Sequence, residues 1–155
     1  MRRHRRLIAL RGDGPTTAAQ AARVVAKLPP EAVLWVGDAQ RAPAGVTTTT
    51  HVGARRLLGG AWDAVVLDLH GGPRPDALGA CHGFVWGGGA LILRLPPVDD
   101  GGAAGQERLA VLPYGPADVG RRYRDRFERA LARAALTAPS PLEPAPHAVA
   151  GSPDQ

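Results

Sequence analysis

Short apolar segments alternate with stretches of helical periodicity along most of the chain. Each apolar segment is followed, directly or one residue later, by glycine or proline, residues that end strands at turns. The strands predicted in this way span residues 6–11, 32–36, 64–69 and 90–95, and the threonines at 47–50 favour a further short edge strand. Continuous apolarity is typical of parallel strands buried on both faces. Because 64–69 shows it most clearly, we place that strand at the centre of a sheet.

Segments with helical spacing separate the predicted strands. One runs from Pro15 to Leu28, a shorter one spans 52–58, and a third spans 75–86 until Gly87-Gly-Gly89 ends it. Strands that alternate with helices favour βαβ units and a parallel sheet. The sequence therefore predicts the α/β fold class, with a Rossmann-like, three-layer, doubly wound and mostly parallel sheet between flanking helices.

The clearest helical pattern spans 118–136. We expect its apolar stripe to face the core, and the stripe consists of Val119, Tyr123, Phe127, Ala130 and Ala134. Four arginines recur beside that stripe: Arg122, Arg126, Arg129 and Arg133. These arginines form either an ordinary solvated face or a candidate contact surface for RNA or an acidic partner.

A change in composition marks the end of the predicted domain. Residues 138–155 hold five prolines and show no periodicity. We therefore expect residues 1–136 to form one α/β domain, and residues 137–155 to form a disordered, proline-rich tail or linker.

Composition and charge narrow the class of protein. The 155 residues are 45% hydrophobic and 21% charged, and no apolar run approaches the roughly 20 residues that cross a bilayer. A single cysteine, Cys81, cannot form an internal disulfide, which suits a reducing cytoplasm. Lys27 is the only lysine among 19 basic residues, and the net charge is +5. This arginine excess fits contact with nucleic acid, but the mutational bias of a GC-rich genome explains it more simply.

Several reaction classes lack the residues that they need. The serines, Ser140 and Ser152, both lie in the proline-rich stretch, so a Ser-His-Asp hydrolase has no suitable nucleophile. Lys27 lies in Ala-Lys-Leu, which is not a Walker A loop, and neither HExxH nor a paired CxxC occurs. We expect no catalytic residues, no metal site and no cofactor for this chain.

Two polar motifs follow predicted strands and form a candidate ligand crevice. Gly12, Asp13 and Gly14 lie between the first strand and the first helix, where backbone N–H groups can hold a phosphate. Asp68 and His70 follow the central strand, at the edge where open α/β sheets bind ligands. Each motif has a simpler explanation, because the first can be a tight turn and Asp68 can cap the turn at Gly71-Gly72.

Together, these segments resemble the N-terminal domain of the tRNA(Met) cytidine acetyltransferase (TmcA) family. The resemblance covers residues 5–136 and depends on order and spacing rather than on one motif. The matching segments are Arg6-Leu-Ile-Ala-Leu10, Leu34-Trp-Val36, His51-x-Gly-Ala-Arg-Arg-Leu-Leu-Gly59, Trp62-Asp-Ala-Val-Val-Leu-Asp68, Gly87-Gly-Gly-Ala-Leu-Ile-Leu-x-Leu-Pro-Pro97 and Tyr123-x-x-x-Phe127-x-Arg-x-Leu131.

The resemblance implies a role in tRNA modification. Full-length members of that family are similar to a helicase fused to an acetyltransferase, and they acetylate N4 of the wobble cytidine of tRNA(Met) with acetyl-CoA and ATP. This sequence contains neither the ATPase nor the acetyltransferase part, so it has no positions onto which those catalytic residues can be transferred. The resemblance implies a non-catalytic accessory module whose partner is the helicase and acetyltransferase portion or a separate catalytic protein, with tRNA as a further expected contact. The alternative is a small nucleotide- or ligand-binding Rossmann-like protein with its site at the carboxyl ends of the strands.

Overall fold

A computed structural model describes residues 4–98, 110–116, 118–136 and 140–144. Its strands are β1 (Arg6–Arg11), β2 (Val33–Val36), β3 (Thr47–Thr49), β4 (Trp62–Asp68), β5 (Val85–Leu95) and β6 (Ala135–Leu136). Its α-helices are α1 (Gly14–Val25), α2 (Pro75–Gly83) and α3 (Arg121–Ala134), and short 3₁₀ helices span Pro30–Ala32, Ala39–Arg41 and Gly53–Leu57.

The six strands form one sheet in the order β3-β2-β4-β5-β1-β6, and every neighbouring pair is parallel. The predicted Rossmann-like α/β class is thereby confirmed, and β4 lies at the centre of the sheet together with β5. Their central position follows from their sequences, because a strand with neighbours on both edges and helices on both faces must be apolar on both faces.

Helix α1 covers one face of the sheet. The helix buries Ala18, Ala21, Val24 and Val25 against Ile8, Trp35, Val66 and Ile92 of the strands. On the opposite face, α2, α3 and the 3₁₀ helix at 53–57 cover Leu34, Val65, Leu67, Leu91 and Leu93. Alternate residues of each strand therefore enter alternate cores, and the result is three layers.

Strand β5 starts earlier than the glycine pattern predicted. Gly87-Gly-Gly89 was expected to end a helix, but these glycines lie inside β5, and α2 ends at Gly83. A Cβ atom added to Gly89 would lie 2.4 Å from the backbone oxygen of Asp63, at a point where the β4–β5 register shifts between Trp62 and Ala64. Glycine is needed here because the two strands approach closely at an irregularity.

Helix α3 is shorter than predicted, and it turns a different face to the core. Its buried residue is Leu131, with Phe127 packed beside it, whereas Ala130 and Ala134 of the predicted apolar stripe are exposed. At about 100° per residue, Leu131 lies roughly 60–100° around the helix from those two alanines. The predicted stripe was therefore wrong by about a quarter turn, because alanine contributes too little apolar surface to fix the orientation of a helix.

Part of the proline-rich stretch packs on the domain. Leu142 is buried among the residues of α1, and its backbone N–H donates to the carbonyl of Val24 at 2.8 Å. The Lys27 ammonium donates to the carboxylate of Glu143 at 2.5 Å. Residues 140–144 therefore add to the α1 layer, while the remainder of the predicted tail lies outside the described residues.

Candidate functional site

The carboxyl ends of β1, β2, β4 and β5 meet at one edge of the sheet because the strands are parallel. This edge brings together all five residues of the predicted crevice: Gly12, Asp13, Gly14, Asp68 and His70. His70 Nε2 lies 3.1 Å from the backbone oxygen of Gly12, so the loop after β4 contacts the loop after β1. We call this group, together with Thr17 and Arg94, the edge cluster.

Asp68 is the centre of the edge cluster. Its Oδ1 accepts from the backbone N–H of His70 at 2.9 Å and pairs with Nδ1 of the same residue at 2.8 Å. Its Oδ2 accepts from Nη1 of Arg94 at 3.2 Å, and its backbone oxygen accepts from Nε2 of His51 at 2.5 Å. Asp68 therefore both caps the turn that follows β4 and orients the imidazole of His70.

Arg94 is fully buried beneath the first turn of α1. Besides Asp68, its guanidinium donates to the carbonyl of Gly14 at 2.8 Å and to Oγ1 of Thr17 at 3.3 Å. The guanidinium also lies over the ring of Trp35, 5.2 Å from its centroid. A buried arginine is stable only when it is paired and hydrogen-bonded, and these four contacts satisfy that requirement.

Asp13 caps the N-terminus of α1. Its Oδ1 accepts from the backbone N–H of Thr16 at 2.7 Å, as expected of an aspartate at the N-cap position. The side-chain hydrogen bond and the backbone hydrogen bond from Thr16 both lower the pKa of Asp13, so the carboxylate is charged at neutral pH. A negative charge therefore already lies where a bound phosphate would approach the helix.

The loop after β2 closes over this edge. Arg41 pairs with Asp38 at 3.2 Å, and its guanidinium lies against Gly14, where an added Cβ atom would meet the guanidinium carbon at 3.4 Å. Gly37 has a φ of +134°, and a Cβ atom there would lie 2.5 Å from Cβ of Asp68. Only glycine allows β2 to turn away so close to Asp68.

Burial and hydrogen bonding shift the pKa of Asp68 in opposite directions. Burial raises the pKa of Asp68, but the hydrogen bonds from His70 and the charge of Arg94 outweigh it, so the pKa is lower than its ordinary value. Burial also lowers the pKa of Arg94, against the opposing effect of Asp68. The two groups therefore stay charged as a pair on the α1 side of the sheet.

The edge cluster directs its polar groups at one another. Every donor of the Arg94 guanidinium named above faces an oxygen of the protein, and the negative charges of Asp13, Asp38 and Asp68 offset the positive charges of Arg41 and Arg94. Among residues 4–98, 110–116, 118–136 and 140–144, no group of His, Cys, Asp and Glu could hold a metal ion. The geometry fits a structural connection between β4, β5 and α1 better than an open anion site.

Arg94 and Thr17 are members of the edge cluster that the sequence interpretation missed. Arg94 is the one charged residue inside the apolar segment Ala90-Leu-Ile-Leu-Arg-Leu95. A lone charge in a strand buried on both faces needs an opposite charge nearby. Asp68, at the end of the other central strand, is likewise a lone charge in an apolar segment. One positive and one negative residue in two otherwise apolar segments are the signal that could have identified the contact.

The four predicted contact arginines of α3 form a second candidate site. Arg122, Arg126, Arg129 and Arg133 are all exposed, and at about 100° per residue they occupy an arc of roughly 60° on the helix. None of them forms an ion pair within the described part of the chain. We call these four residues the arginine arc. Leu131 lies nearly opposite the arginine arc and anchors the helix, so the arginines point away from the domain.

Helix α3 is strongly basic and is attached to the sheet at several points. It carries six arginines, one aspartate and one glutamate, which gives a net charge of +4. The guanidinium of Arg11 in β1 bonds to the carboxylate of Glu128, and Leu131 and Phe127 pack against the core on this face of the sheet. These contacts hold the arginine arc in one orientation relative to the sheet.

An all-parallel sheet between helical layers, with polar loops at the carboxyl ends of its strands, defines a Rossmann-like α/β domain. The chain belongs to the family of N-terminal domains of the tRNA(Met) cytidine acetyltransferase TmcA, whose family model matches residues 1–138. The family membership expected from the sequence resemblance is thereby confirmed.

Curated relatives support the same assignment. The chain is 33% identical over 134 residues to a tRNA(Met) cytidine acetyltransferase TmcA of Nitrosococcus halophilus, a match that covers 84% of this chain and 18% of the relative. It is 37% identical over 138 residues to the TmcA of Haloarcula marismortui, covering 82% of this chain and 17% of the relative. A match to the Haloferax volcanii TmcA is 44% identical over 77 residues, which cover 48% of this chain and 10% of the relative. The chain thus spans less than a fifth of the length of these relatives.

No helix in the described ranges has both the length and the apolarity that crossing a membrane requires.

Proposed function

We propose that this chain is a non-catalytic N-terminal module of a tRNA(Met) wobble-cytidine N4-acetyltransferase system. The observation that carries the proposal is the family match over residues 1–138, together with relatives that continue far beyond the matched region. The module contacts the helicase and acetyltransferase portion, or a separate catalytic protein that takes its place.

The exposed arginine arc of α3 supports tRNA as a second contact. Arginine binds phosphate through two parallel N–H donors, and a helix with a net charge of +4 attracts the RNA backbone over several ångströms. The arc is the arrangement that a phosphate-contacting surface needs, because its four guanidinium groups face the same side. Such contacts position the RNA without reading its sequence.

The tRNA contact is tested by replacing Arg122, Arg126, Arg129 and Arg133 with alanine. Alanine keeps the helix propensity, so α3 should stay folded, which circular dichroism checks. We expect weaker binding of a tRNA(Met) transcript at low salt. The slope of log K against log salt should fall by about one for each phosphate that the variant no longer binds. Unchanged affinity and slope would remove tRNA from the proposal.

A matched control removes the same charge elsewhere. Arg23, Lys27, Arg55 and Arg56 are exposed or half-buried and lie outside α3, and their replacement with alanine also lowers the net charge by four. If this control weakens tRNA binding as much as the α3 variant, the effect comes from overall charge and not from the arc.

The contact with the catalytic portion needs a separate test. The Haloarcula marismortui relative, purified without the region that matches this chain, is mixed with this chain and with acetyl-CoA, ATP and tRNA(Met). We expect the chain to bind the shortened protein in a pull-down and to raise the yield of acetylated cytidine. Lack of binding would contradict the proposed association, and acetylation by the chain alone would contradict its non-catalytic role.

A second candidate function, ligand binding at Gly12, Asp13, Gly14, Asp68 and His70, has less support. The edge cluster brings these residues together, but their polar groups already bond to one another.

A further inference from the structure

An apolar groove lies between α2 and α3, on the face of the sheet opposite α1. Its volume is about 520 Å³, which is within the range of ligand and peptide pockets. The floor is formed by side chains of β1 and β5, and the walls by one side of each helix. The lining includes Leu7, Leu78, Leu91, Phe127, Ala130 and Arg5.

The groove is lined by aliphatic groups that stay partly open to solvent. Leu7 and Leu78 are only half-buried, and Ala130 is exposed, although all three line the same groove. Leaving such a surface uncovered costs free energy in proportion to its apolar area, and a concave, mostly apolar groove is the usual form of a binding site.

The charged groups at the groove are basic. Arg5 and Arg6 line its mouth at the start of β1. The arginine arc of α3 lies next to the groove, because Arg126 is only about 40° around the helix axis from Ala130. The rim therefore favours an occupant that carries negative charge.

The acidic groups next in sequence to lining residues are already paired. Asp76 follows Pro75 and forms an ion pair with Arg55 at 3.2 Å. Glu128 follows Phe127 and forms an ion pair with Arg11. These carboxylates therefore do not cancel the positive charge of the rim.

The described part of the chain leaves the groove uncovered. The last described segment, 140–144, packs on the α1 face, where Leu142 bonds to Val24. The groove lies on the opposite face, against Leu91 and Leu131.

The chemistry of the groove lining distinguishes a peptide from RNA. Bases bind by stacking on open aromatic faces, but the phenyl ring of the lining, that of Phe127, already stacks on Tyr123. Leucine and valine side chains instead match the aliphatic side chains of an amphipathic helix, which fills such grooves with residues spaced i, i+3, i+4 and i+7.

We propose that the groove between α2 and α3 binds an acidic amphipathic helix of a partner protein. Aliphatic side chains of that helix enter the groove above Leu7 and Leu91, and its carboxylates face Arg5, Arg6 and the arginine arc. The groove adjoins the tRNA contact proposed above and shares the arginine arc with it, so peptide binding is tested in the absence of RNA.

The test uses a fluorescent, end-capped peptide with leucine at i, i+3, i+4 and i+7 and glutamate at its other positions. We expect saturable binding to the chain by fluorescence anisotropy. Binding should fall at least tenfold in Ala130→Trp, which fills the groove from an exposed position, and several-fold in Arg5→Glu. The same peptide with lysine in place of glutamate should bind far more weakly.

Two positions away from the groove supply matched controls. Ala132→Trp adds the same indole to α3 on a side remote from the groove, and Arg23→Glu reverses a charge on α1, on the other face of the sheet. Both should leave peptide binding within about twofold of the unaltered chain.

Three results with the peptides would overturn the proposal. They are no binding of the acidic peptide, equal binding of the acidic and basic peptides, or an equal fall in binding in Ala132→Trp and Ala130→Trp. Binding of single-stranded RNA that Ala130→Trp abolishes, without peptide binding, would also overturn it, in favour of RNA. Self-association of the chain that Ala130→Trp abolishes, seen by sedimentation without peptide binding, would overturn it in favour of a second copy.

Discussion

Asp68 and Arg94 are register partners at the carboxyl ends of the two central strands, and their side chains form an ion pair of 3.2 Å on the α1 side of the sheet. Arg94 is completely buried, and the side chain of Asp68 is 14% exposed. Because Arg94 also donates to the carbonyl of Gly14, this pair connects β4, β5 and the start of α1. The connection explains why two charged residues occur in the most apolar part of the chain.

Removal of Arg94 should strongly destabilise the domain. In Arg94→Met, Asp68 keeps its charge in a partly buried site without its partner, and Gly14 loses a donor. We expect a decrease of about 3–5 kcal/mol in the free energy of unfolding, measured by urea denaturation. The double variant Arg94→Met with Asp68→Asn should lose less than the sum of the two single variants, because the uncompensated charge is gone.

A surface pair provides the comparison for Arg94. Arg55 and Asp76 lie 3.2 Å apart with both side chains more than half exposed, so Arg55→Met should change the free energy of unfolding by no more than about 1 kcal/mol. Equal effects of Arg94→Met and Arg55→Met would show that the buried pair is not a structural connection.

Stability should fall in acid through Asp68. The pKa of Asp68 is lower in the fold than its ordinary value of 3.8, so the unfolded chain takes up the proton more readily. This contribution is complete above the ordinary pKa and is lost as the pH falls through the lowered value. We expect Asp68→Asn to be less stable at neutral pH and to lose less stability on acidification, as measured by urea denaturation at a series of pH values. An identical dependence on pH in the variant and the unaltered chain would contradict this role.

The domain should need the segment around Leu142. Its side chain is 2% exposed and packs with residues of α1. We expect Leu142→Ala to lower the free energy of unfolding by about 2–4 kcal/mol, and a chain that stops at residue 136 to lose at least as much. The control Val149→Ala changes an aliphatic residue further along the same stretch. Full stability of the chain that stops at 136 would support the domain boundary predicted from the sequence.

Nucleotides and acetyl-CoA should not stabilise the isolated chain. The backbone N–H of Thr16 already donates to Asp13, and the guanidinium of Arg94 already donates to Gly14 and Thr17, which leaves a phosphate few groups to bind. We expect the melting temperature to stay constant with ATP, NAD or acetyl-CoA, because only a ligand that binds the native state raises it. A rise that saturates with ligand and disappears in Gly14→Val would restore the ligand-binding alternative.

The sequence predicted the edge cluster in part. Asp68 and His70 were identified because they follow a buried strand, and the parallel arrangement brings such residues to one edge. Thr17 and Arg94 were missed because the contact joins residues that are 77 positions apart in the chain. Periodicity reports which face a residue occupies, but it does not report which distant residue it meets.

The orientation of α3 is a second feature that periodicity did not predict. The spacing of Tyr123, Phe127, Ala130 and Ala134 indicated a helix correctly, but the structure buries Leu131 instead. Packing determines which face of α3 is buried, because a leucine side chain removes more apolar area from water than an alanine methyl group.

By itself, the sequence determined the parallel α/β class and the approximate positions of most strands and helices, because runs of apolar residues and the turns between them are local properties of the chain. Only the tertiary structure decided that Arg94 meets Asp68 beneath α1, that Leu142 returns to Val24, and that a basic-rimmed groove opens between α2 and α3. These features depend on the order of the strands in the sheet and on the rotation of each helix upon it, both of which are set by packing among residues far apart in the chain.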